Sequence, residues 1–244
     1  MLFQDILGQK FIKKHLTASI DGKRVAHAQL FVGASGSGVL PCAIAYARYL
    51  ICANSEGENT GVNTSCNLKF DHLAHPDLHL AYPVATTDSI KSHPVSDNFA
   101  KEWRTFVSQN PYGSLYDWHQ HIGIEKKQGK IGVDEAQDIV KKLSLKSYEG
   151  GYKVMIIWMA DKMNNAASNK LLKLIEEPPQ KTVFLLIAEN EDQILDTIKS
   201  RCQVLNFPPL AADSLEAALI TQHNCEPSEA KKIAIKAHGD YNLA

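Results

Sequence analysis

A short glycine-rich segment near the N-terminus has the spacing of a loop that binds phosphate groups. It reads GASGSGVL, with glycines at Gly33, Gly36 and Gly38. Such loops need glycines so that backbone N–H groups can surround phosphate oxygens, a lysine for the β- and γ-phosphates, and a serine or threonine for magnesium. Val39 and Leu40 stand at the lysine and hydroxyl positions. The segment therefore predicts a former ATP-binding loop without its chemical groups, and an ordinary glycine-rich turn is the alternative.

The second part of such a site, a pair of acidic residues, is also missing. An ATPase of this type carries carboxylates at the end of its third strand, one holding magnesium through water and one activating the attacking water. The apolar run 153–157 is followed by Trp158 and Met159, and Asp161 comes three positions too late. Because two parts of one catalytic site are absent together, we expect no ATPase activity from the isolated chain. A working ATPase with an atypical loop is the alternative.

The residues around the glycine-rich segment predict the elements that position it. Residues 28–32 form a short apolar run that is typical of a buried strand. Pro41 suits the first turn of a helix, where its missing N–H is not needed, and this helix is expected to run through Ala43 to Cys52. A strand, a glycine loop and a helix in this order form the opening unit of an α/β nucleotide-binding fold.

Most of the first 209 residues continue this alternation. Further strands are predicted at 78–82, 153–158 and 182–188, and helices at 10–21, 134–143 and 164–175. The first helix is predicted to be amphipathic, and the apolar residues that recur at helical spacing are Phe11, Ile12, Leu16 and Ile20. The polar stretch 54–65 is predicted as a loop. The alternation predicts an α/β fold with a mainly parallel sheet and helices on both of its faces.

Two segments interrupt or follow this pattern. Residues 84–130 hold several aromatic side chains among polar ones, so we expect a small structured insertion with a helix over 99–107 that Asp97 caps. Beyond a pair of prolines the pattern becomes helical only. The expected helices there cover 214–221 and 227–237, and a third begins near 241. The sequence therefore predicts a core domain at 1–209 and a helical lid domain at 210–244 that is cut off partway.

Composition limits the classes of protein that fit. The chain has 244 residues, 44% of them hydrophobic and 22% charged, which is enough to bury a core and argues against disorder. The formal net charge of −1 disfavours a module that binds nucleic acid by charge alone. The N-terminus does not resemble a signal peptide, and no apolar run is long enough to span a membrane. We therefore expect a cytoplasmic protein.

The cysteines are odd in number and scattered. They are Cys42, Cys52, Cys66, Cys202 and Cys225. In a long chain this distribution predicts reduced thiols and not a disulfide framework.

Several segments in order resemble one family. They are Gly8-Gln9, Ala26-His27-Ala28-Gln29-Leu30-Phe31, His75-Pro76-Asp77, Lys153 to Ile157, Asn169 to Pro178 (NKLLKLIEEP), and Ser200-Arg201-Cys202. Together they resemble AAA+ clamp-loader subunits of bacterial DNA polymerase III over nearly the whole chain. The DW and NPY elements of residues 84–130 resemble the Bacteroidetes branch of that family. Motor subunits of the family keep the loop lysine and the acidic pair, whereas its stator type lacks both, as this chain does.

The resemblance gives the tripeptide Ser200-Arg201-Cys202 a role. It implies that Arg201 is an arginine finger that reaches the γ-phosphate of ATP held by a neighbouring motor subunit. A guanidinium offers fixed, permanently charged donors to the charge that develops on the phosphoryl oxygens. The alternative for Arg201 is an ordinary surface salt bridge. Cys202 is expected to be a small packing residue and not a catalytic thiol.

Two departures from the family pattern matter for ligands. The family often carries a zinc-binding cysteine cluster, but only Cys52 and Cys66 are near the expected place, and a closed zinc site needs about four ligands. His72, His75 and His79 could add nitrogen ligands, yet their spacing matches no zinc pattern, so no metal is predicted. The lid of the family usually carries an arginine that senses nucleotide, and Asn242 stands in that place.

The partners follow from the resemblance. It implies a non-hydrolysing stator, without a cofactor of its own, that works with an ATP-binding motor subunit and the delta subunit. The sliding clamp and primed DNA would be reached through the complex. Lys126, Lys127 and Lys130 precede a predicted helix and could hold a DNA phosphate, with a solvated basic loop as the alternative. The collar domain that the family uses to assemble is not expected in this chain, so we expect a monomer.

Overall fold

A five-stranded parallel sheet forms the centre of the molecule. The computed structural model describes residues 1–56, 65–148 and 150–244. The strands are β1 (Ala28–Val32), β2 (Leu78–Ala81), β3 (Lys153–Ile157), β4 (Thr182–Ala188) and β5 (Gln203–Asn206), in the spatial order β2-β3-β4-β1-β5. All neighbouring strands run parallel, which confirms the predicted α/β class. β5 has no signal in the sequence, because only Leu205 of its four residues is buried and no apolar run marks it.

Ten helices connect and cover the strands in the part of the chain that the structure describes. They are α1 (Lys10–Asp21), α2 (Val39–Glu56), α3 (Ser65–Asp71), α4 (Ala100–Gln109), α5 (Leu115–His121), α6 (Val133–Ser144), α7 (Asn165–Glu176), α8 (Asp196–Lys199), α9 (Ala212–His223) and α10 (Pro227–Lys236). The loop predicted at 54–65 is wrong at its start, because α2 continues through residue 56, and also at residue 65, which begins α3. Residues 57–64 of that prediction lie outside the described residues.

Alternate strand residues face two separate hydrophobic cores. In β3, Val154 and Ile156 belong to one core, while Met155 and Ile157 belong to the other. This is the period of two that a strand imposes on its side chains. The first core includes residues of α1, α2, α4 and α5, and the second includes residues of α6, α7 and α8. The sheet is therefore covered by helices on both faces.

The apolar face of α1 differs from the predicted one at a single position. Ile12 and Leu16 are buried, but the Phe11 side chain is 79% exposed. Consecutive helix residues are about 100° apart, so Phe11 and Ile12 cannot both point at the centre of the same core. In the structure, Ile12 is the one that points into the core.

Residues 84–130 fold around an aromatic cluster. Trp103 of α4 stacks on Tyr82 with ring centroids 4.0 Å apart, and Trp118 of α5 meets Trp103 edge-on at 5.0 Å. The Trp118 indole N–H donates to the Pro83 carbonyl at 2.8 Å. Asp97 does not cap α4, because it lies in a 3-10 turn (Ser96–Phe99) that precedes the helix, and its carboxylate accepts from Lys142 at 2.6 Å.

The C-terminal residues form two packed helices. Ala211 is the N-cap of α9, so the expected start at 214 lies inside the helix. In α10, the Glu226 carboxylate accepts from the Ser228 N–H, and Pro227 occupies the first turn, as sequence predicted. The helix expected near 241 is wrong, because residues 241–243 form only a turn.

Two of the cysteines are paired, which contradicts the expectation that all five are reduced. Cys52 of α2 and Cys66 of α3 form a disulfide with their Cα atoms 5.7 Å apart. The fold brings α2 and α3 side by side, which spacing along the sequence could not reveal. Cys42, Cys202 and Cys225 are free. Among the residues that the structure describes, no cluster of three or more potential ligands could hold a metal ion, and no helix is long and apolar enough to cross a membrane.

Candidate functional site

The glycine loop connects the end of β1 to the start of α2. Gly36 and Gly38 have φ angles of +70° and +88°, a region of backbone conformation that glycine adopts without strain. Val39 and Leu40, at the positions of the missing lysine and hydroxyl, are 5% and 4% exposed and pack into the first core. Both side chains therefore contribute to packing and present no polar group to a ligand.

The cavity at this loop is filled on one side by residues from the 84–130 segment. Pro111, Tyr112 and Gly113 line it together with the glycine loop. A Cβ atom on Gly38 would lie 3.2 Å from the Tyr112 ring, and the Tyr112 hydroxyl accepts from the Leu7 backbone N–H at 2.9 Å. The remaining cavity measures about 20 Å³, which is close to the space of one water molecule.

The other side of the loop is covered by the C-terminal segment. The Tyr241 N–H donates to the Gly36 carbonyl at 3.1 Å. The Asp240 carboxylate lies so close to Gly36 that a Cβ atom on that residue would overlap it. Burial raises the pKa of Asp240, while hydrogen bonds from the backbone N–H groups of Asn242 and Leu243 oppose the rise. The glycine at position 36 is thus required by an internal contact of the chain.

Carboxylates lie near the loop, whereas an ATP site needs cations there to balance the charge of the phosphates. Glu189 lines the cavity together with Ser35 of the loop. Burial raises the pKa of Glu189, the neighbouring Asp161 carboxylate raises it further, and the nearby Ser35 backbone N–H opposes the rise. Among the described residues that line the cavity, none is basic. A triphosphate placed here would meet negative charge in a poorly hydrated site, which is unfavourable.

Trp158 and Met159 occupy the positions after β3 at which an ATPase of this type carries its acidic pair. They follow β3, are each 3% exposed and line the same cavity. Met159 has a φ angle of +56°, which turns the chain into a 3-10 turn (Ala160–Lys162). Asp161 is buried and its carboxylate pairs with Lys162 at 2.8 Å. Asp161 does not line the cavity described around the loop.

Asn242 connects the two segments that cover the loop. Its side-chain oxygen accepts from the Asn110 amide at 2.8 Å, and its side-chain nitrogen donates to the Asp117 carboxylate at 2.8 Å. Burial opposes ionisation of Asp117, but hydrogen bonds from Ser114 and then from Asn242 outweigh it and lower the pKa. The residue at the expected nucleotide-sensing position therefore bonds within the chain. Tyr112 meets Tyr241 edge-on, with ring centroids 4.9 Å apart. We call the contacts of Asn110, Tyr112 and Asp117 with the C-terminal segment the interlock.

Arg201 lies at the opposite end of the sheet from the glycine loop. It precedes β5, whereas the loop follows β1, and the two strands are parallel with Gln29 paired to Gln203 and Val32 to Asn206. That paired length alone spans about 10 Å. Arg201 therefore lies outside the cavity of this chain's own loop.

The Arg201 side chain is one-third exposed and held by three contacts. Its Nη1 donates to the Thr197 carbonyl at 2.8 Å and to the Ser200 hydroxyl at 3.5 Å, and its Nη2 lies 3.3 Å from a carboxylate oxygen of Glu176. Ser200 also donates to the Thr197 carbonyl, at 3.3 Å. Cys202 packs against the second core, and burial raises the pKa of its thiol to about 11. A thiol with that pKa stays protonated near neutral pH, so Cys202 is a poor nucleophile.

The three lysines considered for DNA do not form a prepared phosphate site. Lys127 donates to the Thr86 carbonyl at 2.6 Å, while Lys126 and Lys130 are exposed. The first turn of the following helix α6 carries Asp134 and Glu135, whose negative charge competes with a phosphate at that helix end.

Sequence analysis did not assign several of the residues that define the site. Glu176 lies within the LLKLIEEPP segment and Tyr112 within the NPY element, but neither had a role. Glu189 and Asp240 carry no motif. Their proximity to the loop depends on how separate parts of the chain pack, so only Tyr112 had a signal: an aromatic residue in a long insertion.

Comparison with known proteins identifies relatives for almost the whole chain. A family model described as DNA polymerase III, delta subunit, matches residues 8–211. DNA polymerase III subunit delta' of Bacillus subtilis is 31% identical over 226 residues, which are 93% of this chain and 55% of the relative. The same-named subunit of Escherichia coli is 27% identical, over 80% of this chain and 46% of the relative. The chain thus spans about half the length of these relatives.

Solved structures share the fold. A DNA polymerase III gamma subunit-related protein from Thermotoga maritima aligns with a TM-score of 0.51 at 16% identity, covering 94% of this chain and 56% of that one. The Thermotoga maritima RuvB branch migration motor aligns with a TM-score of 0.55 at 12% identity, covering 99% and 61%. These likenesses show an AAA+ type of fold. The family match over residues 8–211 goes further, and the chain belongs to the DNA polymerase III delta-subunit family.

Proposed function

We propose that this chain is the AAA+ part of a delta' subunit, a non-hydrolysing stator of the DNA polymerase III clamp loader. Its curated relatives with that name support the assignment to the complex. In this role the subunit helps load the sliding clamp on primed DNA. Its partners are an ATP-binding motor subunit and the delta subunit, and it needs no nucleotide of its own.

One observation carries the proposal: the glycine loop is occupied by the chain's own residues. Tyr112 packs on Gly38, Asp240 packs on Gly36, and Glu189 lines the cavity beside Ser35 of the loop. The cavity that the loop lines measures about 20 Å³, whereas pockets for small-molecule ligands measure about 300–1,000 Å³. These contacts support a subunit that neither binds nor hydrolyses ATP. They disfavour the alternative of an active ATPase with an atypical loop.

The position of Arg201 supports action on another subunit. It lies outside the cavity of its own chain, at the far end of the sheet, and its side chain is one-third exposed. We propose that it serves as an arginine finger in trans, at the ATP held by a neighbouring motor subunit. Fingers of this kind raise hydrolysis rates by about 10³–10⁵ in well-studied cases.

The domain arrangement belongs to the same proposal. Residues 1–209 form the AAA+ core with an insertion at 84–130, and residues 210–244 form the start of the lid domain. The interlock then ties the insertion to the lid across the unused nucleotide site. A stator benefits from this, since its lid keeps one orientation without a nucleotide.

The test is ATP hydrolysis by a reconstituted clamp loader with clamp and primed DNA, comparing wild-type full-length subunit with Arg201→Ala. We expect the isolated subunit to hydrolyse no ATP, and the complex with Arg201→Ala to assemble normally but hydrolyse more slowly. Lys199→Ala, which removes a neighbouring half-buried cation that pairs with Asp196, is the matched control. An unchanged rate with Arg201→Ala would reject the finger, and micromolar ATP binding by the isolated subunit would reject the non-hydrolysing stator.

A further inference from the structure

The Arg201 guanidinium is bound by a carboxylate from a different helix. Glu176 is the last residue of α7, and one of its carboxylate oxygens lies 3.3 Å from Nη2 of Arg201. We propose that Glu176 is a positioning residue, which holds the Arg201 guanidinium at the angle from which it meets the phosphate of a neighbouring subunit. This inference rests on the proposed trans role of Arg201.

The location of Glu176 is unfavourable for a carboxylate unless a cation is near. It stands in the last turn of α7, where the helix dipole presents negative partial charge, and Glu177 follows directly. Two successive carboxylates at a helix C-terminus repel both each other and the helix dipole. Arg201 supplies positive charge at this place, so the pair is the physical reason that the carboxylate is tolerated here.

The geometry leaves the guanidinium able to act on a further acceptor. An arginine carries five N–H donors in a planar fork. Nη1 donates to the Thr197 carbonyl at 2.8 Å and to the Ser200 hydroxyl at 3.5 Å, Nη2 forms the ion pair with Glu176, and Nε is buried. The N–H groups of Nη2 have no other acceptor among the described contacts and remain for an external one such as a phosphate oxygen. These contacts fix the plane of the fork without using all of its donors.

Fixing the guanidinium in one orientation affects the rate of ATP hydrolysis more than it affects the stability of the fold. Glu176 and Arg201 have side-chain exposures of 54% and 33%, and exposed ion pairs add little to folding free energy. Displacement of a catalytic group by about 1 Å can lower a rate by roughly 100-fold. Removal of Glu176 should therefore leave the fold intact and weaken the finger.

The experiment uses the reconstituted clamp loader with the full-length subunit carrying Glu176→Ala, Glu176→Gln, Arg201→Ala or Glu176→Ala with Arg201→Ala. The quantity of interest is the Arg201-dependent rate, which is the wild-type ATPase rate minus the Arg201→Ala rate. We expect Glu176→Ala to lower it about tenfold through kcat, with KM for ATP changed less than about threefold. Glu176→Gln keeps a carbonyl acceptor and should retain part of the rate.

Two comparisons separate positioning from a structural role. Glu177→Ala removes the adjacent exposed carboxylate, which makes no ion pair with Arg201 among the described contacts, and it should leave the rate unchanged. The double substitution should match Arg201→Ala alone, since Glu176 acts only through Arg201.

Each outcome decides between the two proposals. If Arg201→Ala slows hydrolysis and Glu176→Ala does not, Glu176 is not a positioning residue and the finger remains. If the double substitution is slower than Arg201→Ala, Glu176 acts by another route and the inference is wrong. If Arg201→Ala itself has no effect, the finger fails and the inference fails with it. Melting temperatures of the isolated variants within about 2 °C of wild type confirm that the fold is intact.

Discussion

At the scale of single residues, Tyr112 contributes both its ring and its hydroxyl to the closed loop. The hydroxyl accepts from the Leu7 N–H at 2.9 Å, and burial raises its pKa to about 12 while that hydrogen bond opposes the rise. Tyr112→Phe keeps the ring and leaves the Leu7 N–H without this acceptor. We expect a loss of about 1 kcal/mol in the free energy of unfolding. For a chain of this size, that lowers the melting temperature by about 2–4 °C in a thermal melt.

The control for this prediction is another tyrosine of the same segment. Tyr116 is 63% exposed, so Tyr116→Phe should leave the melting temperature unchanged. Equal effects of the two substitutions would show that the Leu7 contact contributes nothing specific.

Glu135 provides a second prediction at this scale, through pH. It is 1% exposed, and burial raises its pKa from the ordinary value of 4.5 to about 7, although the Ser96 N–H donates to it at 2.6 Å and Lys142 lies near. Because the folded chain holds this proton more tightly than the unfolded chain, the stabilisation is complete below about pH 4.5. It is lost as the pH rises to about 7.

Urea unfolding at pH 5, 6 and 7 measures this effect. Glu135→Gln cannot titrate, so its free energy of unfolding should fall less between pH 5 and 7 than that of wild type. The difference between the two curves amounts to about 1.4 kcal/mol for each unit of pKa shift. Glu125→Gln, at an exposed position, should follow the wild-type curve. Parallel curves for wild type and Glu135→Gln would mean that the carboxyl titrates normally.

At the scale of elements, the interlock makes a prediction about motion. Asn242 bonds to Asn110 and to Asp117, each at 2.8 Å, and so joins the turn after α10 to α5 and the end of α4. Asn242→Ala removes both bonds and leaves Asp117 with one donor fewer. We expect faster amide hydrogen exchange in α9, α10 and α5, and no change in β3 or β4. Leu243→Ala, which truncates a side chain that is 74% exposed, is the control.

The elements also show what the sequence could reveal. After their first residues, the central strands β3 and β4 are continuous apolar runs, because strands covered on both faces need apolar residues at nearly every position. β1 and β2 are mainly apolar, with one polar residue each, Gln29 and His79. β5 is an edge strand with one buried residue, so no pattern marks it. Likewise, the pairing of Cys52 with Cys66 and the exposure of Phe11 depend on which helices pack side by side. Local sequence predicted the elements, and tertiary contacts decided their details.

The candidate site likewise has features that the sequence reveals and features that depend on tertiary contacts. The absence of a loop lysine and of an acidic pair is visible in the sequence at Val39 and Trp158. The groups that surround the loop are not, because Tyr112, Glu189 and Asp240 come from three separate parts of the chain. Short motifs show which functional side chains are absent from the sequence. Whether a cavity is closed depends on tertiary packing, which short motifs do not show.

At the scale of the whole molecule, the closed cavity predicts that substituting the two loop side chains alone does not give ATP binding. Val39→Lys with Leu40→Thr returns the two side chains that an ATP loop needs. Tyr112 would still fill the cavity, and Glu189 and Asp240 would still present carboxylates to the phosphates. We therefore expect no ATP binding by the double variant in isothermal titration calorimetry at millimolar nucleotide.

Opening the cavity is the decisive comparison for this last prediction. Adding Tyr112→Ala and Asp240→Asn to the two loop substitutions removes the ring on Gly38 and one of the two carboxylates. This fourfold variant should bind ATP measurably, although the buried lysine at position 39 lowers its stability, so circular dichroism must first show that it is folded. Micromolar binding by the twofold variant, with Tyr112 in place, would show that packing does not close the site. Two substitutions would then be enough for nucleotide binding, although hydrolysis would still lack the acidic pair whose positions Trp158 and Met159 occupy.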